Sequence, residues 1–202
     1  MAGQSKPSFQ NDILRNSTMK KSLIKSLLCC LLWCLGASIV NAEVISTQSK
    51  LLFTIQQEGS PVQGAFKKLQ GQIHFDDSHP QNSHAHIIVD LSSIDFASTE
   101  TEDEAKGKNW FNVALFPVAE FNSSNITKTQ DQHYSVEGVL TIKNIQKTIK
   151  IPIALSHQGS LLVADGQFVL SRGSFLIGQG VWADPDTVAD AVIVQFHVVF
   201  TN

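Results

Sequence analysis

Four histidines, His74, His79, His84 and His86, fall within 13 positions, with Asp76 and Asp77 among them. Imidazoles gathered in this way suit Zn²⁺ or Cu²⁺. His84 and His86 stand two apart, so on a strand they share one face. They alternate with Ala85 and Ile87, which turns them away from an apolar core, and no spacing matches a known zinc site. The reading adopted is a solvated strand face and no metal site, with His84 and His86 the residues that would carry one.

Other polar groups fall short of a catalytic set. Glu100, Glu102, Asp103 and Glu104 are dense enough for Ca²⁺ but lack EF-hand spacing, and they read as a solvated first helical turn. Ser92, Ser93 and Asp95 lie near histidines in sequence, but no Gly-x-Ser-x-Gly elbow accompanies them. Glu120 and Glu137 would make a carboxylate pair only if folded together. Gly178-x-Gly180 is too little for a phosphate loop. Arg172 is the one arginine of 43–202. An unpaired guanidinium is costly to bury, so it reaches solvent, pairs with an acid or meets an anionic head group. A structural ion pair is the favoured reading, with Arg172 also the head-group candidate. No acid, base and nucleophile set emerges, so no enzyme and no cofactor are expected.

The elements that would position these groups are mostly strands. Val192, Val194, Phe196, Val198 and Phe200 alternate with Ile193, Gln195, His197 and Val199. Ile149–Leu155 and Ala85–Leu91 alternate in the same way, as half-buried strands do. Pro152 cannot donate to a ladder, which predicts an edge or bulge there. Further strands are predicted over Lys50–Gln56, Ala65–Asp76, Ala119–Ile126, His133–Thr141, Leu161–Leu170 and Phe175–Trp182. Turn signals at Glu58–Pro61, Ser78–Pro80, Gln130-Asp131, His157–Gly159, Ala164–Gly166 and Asp184–Asp186 divide them. About eight short strands at this spacing make a closed barrel or a sandwich. Thr99-x-x-Glu102 reads as a capping box, Glu102–Lys108 is rich in helix formers, and together with the aromatic Asn109–Phe116 the segment makes one or two short helices.

The first 42 residues differ from the rest. Five basic residues and one acid lie there, with all three cysteines, Cys29, Cys30 and Cys34. Met19–Lys25 is basic, Leu27–Val40 is an apolar run of 14 residues, and Val40-Asn41-Ala42 offers small residues for cleavage. That order predicts a secretory signal peptide over 1–42, with Met19 a second candidate start, and hence a periplasmic protein. The run is shorter than the ~20 apolar residues that span a bilayer. Residues 43–202 then carry 10 Lys+Arg against 17 Asp+Glu, a net charge of −7, and no cysteine. Such an acidic domain is a poor partner for nucleic acid, and no disulfide or thiol chemistry remains in it.

Six blocks carry a family resemblance: Gly64–Phe66, Gly71–Asp76, Asp90–Asp95, Asn109–Phe121, Val136–Lys143 and Ser171–Gly178. In this order, with an aromatic segment ending in Phe116-Pro117 and a later Gly138-Val139-Leu140-Thr141-Ile142, the chain resembles the YceI-like family of secreted bacterial proteins over about Ser46–Phe200. The resemblance implies an all-β, eight-stranded antiparallel lipocalin-like barrel, one or two short helices capping one end, and a bound isoprenoid lipid without catalysis. Ile55–Gly59 and Gly178–Trp182 resemble a subgroup found with membrane b-type cytochromes, which implies an isoprenoid quinone and such a cytochrome as partner. The resemblance also implies a homodimer as one form of the protein. Many members have Asp-Phe-Gly-Ile-Gly where this chain has Ser174–Gly178.

An eight-stranded barrel holds its own side chains or one small ligand. A prenyl chain gains ~0.8 kcal/mol per buried CH₂, so several isoprene units bind without polar help. The chain has twelve Phe and one Tyr, consistent with a dry interior. The predicted lining is Phe53, Phe66, Ile73, Phe75 and Ile87 from the first half. Val89, Trp110, Phe111, Phe116 and Phe121 follow, then Ile142, Phe168, Phe175, Val194 and Phe196. Any filled barrel would use the same residues as its core. A carrier of a polyisoprenoid or isoprenoid quinone is the leading expectation. A solid-cored accessory protein of a respiratory membrane partner is the second, and a histidine-based metal binder the third.

Overall fold

The structure, a computed structural model, describes Met1, Gly3 and residues 42–201. The predicted leader over 1–42 lies outside the described residues except at Met1, Gly3 and Ala42.

Among the described residues, period-two patterning becomes eleven strand segments. They are β1 (Ala42–Glu43), β2 (Lys50–Gln57), β3 (Ser60–Phe66), β4 (Leu69–His74), β5 (His84–Asp90) and β6 (Ile94–Asp95). Then come β7 (Val118–Gln130), β8 (His133–Ile142), β9 (Ile145–Gln158), β10 (Leu161–Ser171) and β11 (Val188–Thr201). Every pairing is antiparallel, in the order β1-β4-β5-β7-β8-β9-β10-β11-β2-β3-β6. That order returns on itself. β3 continues into β4 past Lys67 and Lys68, and β5 continues into β6 past a 3₁₀ turn at Leu91–Ser93. β1 pairs with β4, Val44 bridges Phe200 of β11, and β2 then takes up the place between β11 and β3. Eleven segments thus form eight barrel strands, three of them interrupted.

One seam is incomplete. The β9–β10 ladder runs from Gln158↔Leu161 to Ile153↔Gly166 and stops. Residues 145–152 stay paired to β8, and 167–171 to β11, but not to each other. Pro152, which has no N–H to give, is the first β9 residue without a β10 partner.

Two predicted features are corrected, and one turn goes unpredicted. Ala164-Asp165-Gly166 is no turn but the middle of β10, because Gly166 sits opposite Phe196, whose ring covers it. A Cβ at Gly166 would lie 2.3 Å from Phe196 Cζ. Phe175–Trp182 is no strand but two 3₁₀ turns, Gly173–Phe175 and Gly180–Trp182. Positive φ at Leu176, Gly178 and Gly180 breaks the extension. The Lys143-Asn144 hairpin turn, which lacks Gly and Pro, gave no turn signal.

Among the described residues one α-helix occurs, α1 (Thr99–Lys106). Its cap is Ser98, whose Oγ accepts from Thr101 N, and not Thr99. Glu102 Oε1 instead accepts from Phe96 N, and Glu102 pairs with Lys106 at 3.3 Å. Residues 109–116 form turns rather than a second helix: Asn112 has φ +51 and its carbonyl accepts from Leu115 N and Phe116 N. No helix among the described residues is long and apolar enough to cross a membrane.

Candidate functional site

Two buried clusters occupy the ends of the barrel. Leu69, Ile73, Tyr134, Leu155, Leu162 and Phe200 belong to one. Leu91, Ala119, Ile142, Phe175 and Ile177 belong to the other, with Phe66, Trp110 and Phe111 packed against them. Between them lies a cavity of about 570 Å³. That volume falls in the range that encloses a small-molecule ligand.

The strands build the wall by sending alternate side chains inward. Phe53, Phe66, Ile73, Phe75, Ile87 and Val89 line it, as do Phe121, Ile142, Phe168, Val194 and Phe196. Trp110 and Phe111 line it from the loop after α1. Two predicted lining residues do not. Phe175 is 1% exposed and spends its ring inside the second cluster, because its segment turns rather than extends. Phe116, at the end of the same loop as Trp110, is half-buried outside the cavity. The sequence reading missed Phe96, although it follows Ile94 at strand period, and Ala105 on the buried side of α1. Ile149, Ile151, Phe168 and Leu170 line the cavity along the incomplete β9–β10 seam.

Aromatic rings gather at the α1 end. Phe53 packs on Phe66 at 5.5 Å and on Phe96 at 5.4 Å, and Phe66 on Phe111 at 5.7 Å. Trp110 lies 5.8 Å from Trp182. Polar lining residues also gather there: Glu100, Thr101 and Glu104 of α1, with Trp110, Arg172 and Trp182.

Arg172 is 3% exposed, and its partners are neither solvent nor a carboxylate. Nε donates to Ala189 O, Nη1 to Ile177 O and Gly178 O, and Nη2 to Trp182 O and Val188 O, at 2.5–3.1 Å. All five N–H groups are therefore engaged. The guanidinium also lies 5.7 Å over the Trp110 ring. Neither the ion pair nor a free head-group donor expected of Arg172 is found. The residue ties together the 173–182 loop, where alternation predicts a strand. Gly178 permits this through its φ of +75°, since a Cβ there would sit 2.1 Å from Nη1.

The remaining polar candidates stay apart. His84 stacks beside His74 at 5.3 Å, and His86 Nε2 lies 3.8 Å from Glu120 Oε2, both on the outer face. Among the described residues, no three His, Cys, Asp or Glu gather to hold a metal ion. Ser92 and Ser93 hydroxyls donate to Asp90 and close a 3₁₀ turn. Glu120 stands opposite Thr141 and Glu137 opposite Asn125, so the two carboxylates do not meet.

Comparison with known proteins places this geometry. A UPF0312 protein of Yersinia pestis (strain Pestoides F) is 29% identical over 146 residues, covering 70% of this chain and 76% of its own. The protein YceI of Salmonella arizonae is 28% identical over 145 residues, covering 70% and 75%. The crystal structure of Burkholderia cenocepacia BcnA is 34% identical with a TM-score of 0.75, covering 77% of this chain and 98% of BcnA. A polyisoprenoid-binding domain from Saccharophagus degradans shares the fold at 12% identity and a TM-score of 0.65, covering 79% and 97%. The YceI-like domain model matches residues 43–200. The chain therefore belongs to the YceI-like domain family.

Proposed function

We propose that this chain is a non-catalytic carrier that encloses the prenyl chain of an isoprenoid lipid or quinone inside its barrel, outside the cytoplasm. The observation that carries the reading is the cavity: about 570 Å³, walled by Phe, Ile, Leu and Val from all sides of the barrel. Burial of each CH₂ contributes ~0.8 kcal/mol, so such a wall holds a long hydrocarbon by area alone. The Saccharophagus domain, described as polyisoprenoid-binding, supports the chemical class through its common fold. The basic and then apolar order of residues 19–40 supports secretion. An accessory protein with a solid core is the weaker reading, since the barrel is not filled.

Native mass spectrometry tests this on protein expressed in a bacterium and isolated from the periplasm without detergent. We expect an added mass that disappears on organic extraction, with an extract that fragments as a prenyl chain. A bare polypeptide that also takes up no prenyl lipid from vesicles overturns the carrier. Recovery in the cytoplasm alone overturns the secretion.

A further inference from the structure

The incomplete seam opens the cavity sideways. Carried on past Gly166↔Ile153, the register would set Phe168 against Ile151 and Leu170 against Ile149, but no pairing joins them. All four line the cavity, so both lips of the gap are apolar on the inside. The ladder bounds the gap at one end. At the other, Lys143 Nζ in the β8–β9 turn donates to Leu176 O in the loop after β10 and bridges the two strands. The unpaired β9 stretch 145–152 makes this slot about 25 Å long at the rise of a strand.

The outer face beside the slot is aliphatic. Val169, on the β10 lip, stands opposite Ile193 of β11, and Leu52 of β2 lies diagonal to Ile193, turned outward between Leu51 and Phe53. They are 64%, 37% and 43% exposed, and Leu176 at the end of the slot is 52% exposed. Single exposed aliphatics are ordinary, but neighbours on adjoining strands make a patch of the kind that marks a contact surface. The charge here is also distinctive. Residues 43–202 carry a net −7, yet 138–164 hold Lys143, Lys147 and Lys150 and no Asp or Glu. Lys147 and Lys150 are exposed along the β9 lip. The carboxylates that border the patch are engaged or set back. Glu137 faces Lys150 from β8, Asp165 pairs with His197 at 2.7 Å, and Asp190 accepts from Gly173 N–H.

The α1 end of the cavity has the opposite character. Its exposed lining residues Gln57, Glu100, Thr101 and Glu104 are polar. Glu102 and Asp103 add to the acids there, against Lys108 and against Lys106, which Glu102 holds at 3.3 Å. A surface of phosphate groups is repelled at that end and attracted at the slot. A hydrocarbon chain leaving over the α1 rim would strip water from carboxylates, whereas in the slot it meets carbon.

Resting on the carrier reading, we infer that the barrel docks side-on to an anionic phospholipid bilayer with the β9–β10 slot against the surface, and that the prenyl chain passes through this slot between bilayer and cavity. Docking is at head-group depth. Water still reaches the unpaired N–H and C=O groups of the two lips there, and hydrocarbon would leave them unsatisfied.

Protein isolated from the periplasm and stripped of lipid is tested with vesicles of phosphatidylethanolamine and phosphatidylglycerol that carry a tetraprenyl benzoquinone. Wild type should float with the vesicles in a density gradient and take up the quinone. Val169→Glu with Ile193→Glu, both off the cavity wall, should cut vesicle binding and uptake rate about tenfold, while quinone delivered from detergent fills the barrel as in wild type. Lys147→Gln with Lys150→Gln should weaken binding about fivefold on these vesicles and leave it unchanged on phosphatidylcholine. A strap tests the route. Residues 43–202 contain no cysteine, so Lys150→Cys with Val169→Cys can be joined across the slot by a bis-maleimide. The strapped protein should load several-fold more slowly than the same variant unstrapped and still bind vesicles. Undiminished floating of the Glu variant overturns the docking. Unslowed loading of the strapped protein overturns the slot and puts the entry at the α1 end. A wild-type dimer without vesicles that the Glu variant loses assigns the patch to a second copy and overturns the docking as well. If wild type holds no quinone even when it is delivered from detergent, the carrier reading fails and the passage with it.

Discussion

Arg172 shows how much one side chain can organise. Five carbonyls from three stretches of chain converge on one guanidinium that is 3% exposed. Removing one partner of a buried network leaves the others unsatisfied, at ~1–3 kcal/mol for a group so orphaned. Arg172→Ala should therefore destabilise the fold by about 3–5 kcal/mol, read from urea unfolding. Arg172→Lys should recover only part of it, because an ammonium has three donors and no planar fork. A loss under about 1 kcal/mol for Arg172→Ala would show that water replaces the guanidinium. The type and solitude of this arginine were legible in the sequence, and so was the cost of burying it. Its partners were not, because backbone carbonyls leave no trace in residue identity. Carboxylates act at this scale as well. Asp77 is held below its ordinary value of 3.8, first by the Tyr134 hydroxyl and then by Lys128. Asp76 is lowered by the backbone N–H of His79, then by the His79 ring and Ser78 N–H, and Asp90 by the Ser92 hydroxyl and N–H. A carboxyl whose folded pKa lies below its unfolded one adds stability above the unfolded value and loses it as pH falls through the folded value. Urea midpoints should thus hold between pH 7 and 5 and fall below about pH 4, with a shallower fall in Asp77→Asn. A midpoint unchanged at pH 3 would contradict this.

At the scale of elements, alternation reported the strands faithfully where both neighbours were strands. β2, β8 and β11 lie close to their predicted spans, because a half-buried strand must alternate whatever its partners. The errors fall where backbone conformation depends on contacts distant in sequence. Gly166 looks like a turn residue, yet Phe196 covers it across the β10–β11 ladder. Phe175–Trp182 alternates like a strand, yet Arg172 folds it into a loop. The hairpin turns offer a test of local backbone conformation. Glu58-Gly59 joins Gln57 to Ser60 with φ of +48° and +76°, the two-residue geometry that favours Asn-Gly. Glu at positive φ is strained, and the contact made there by Glu58 is its backbone N–H on Thr187 O, which Asn retains. Glu58→Asn should raise stability by about 0.5–1 kcal/mol, seen as a higher urea midpoint with unchanged slope. A lower midpoint would mean that the Glu58 side chain has a stabilising contact.

For the whole molecule, the cavity and the incomplete seam belong to one design. A barrel that keeps 570 Å³ inside forgoes the packing that a filled core would supply. Its wall must then be held by ladders, and between β9 and β10 the ladder covers only Leu161–Gly166 against Ile153–Gln158. The sequence pointed to that seam through Pro152, and the length of the unpaired stretch followed only from the pairings. Backbone amides without an acceptor exchange with solvent far faster than those inside a ladder. In hydrogen exchange read peptide by peptide, alternate amides of 145–152 and 167–171 should therefore exchange well ahead of 153–158 and 161–166. Loading the barrel separates local from global opening. A ligand that binds only the folded state at 100 times its Kd adds about 2.7 kcal/mol, which slows exchange through global unfolding roughly a hundredfold. The ladder amides should show that slowing, while the seam amides, which need no unfolding to meet water, should keep their rate. Equal protection on both sides of Pro152 before loading would mean that the ladder runs on and the wall is closed. Slowing confined to the seam would mean that the two edges join over the lipid, making the seam a gate.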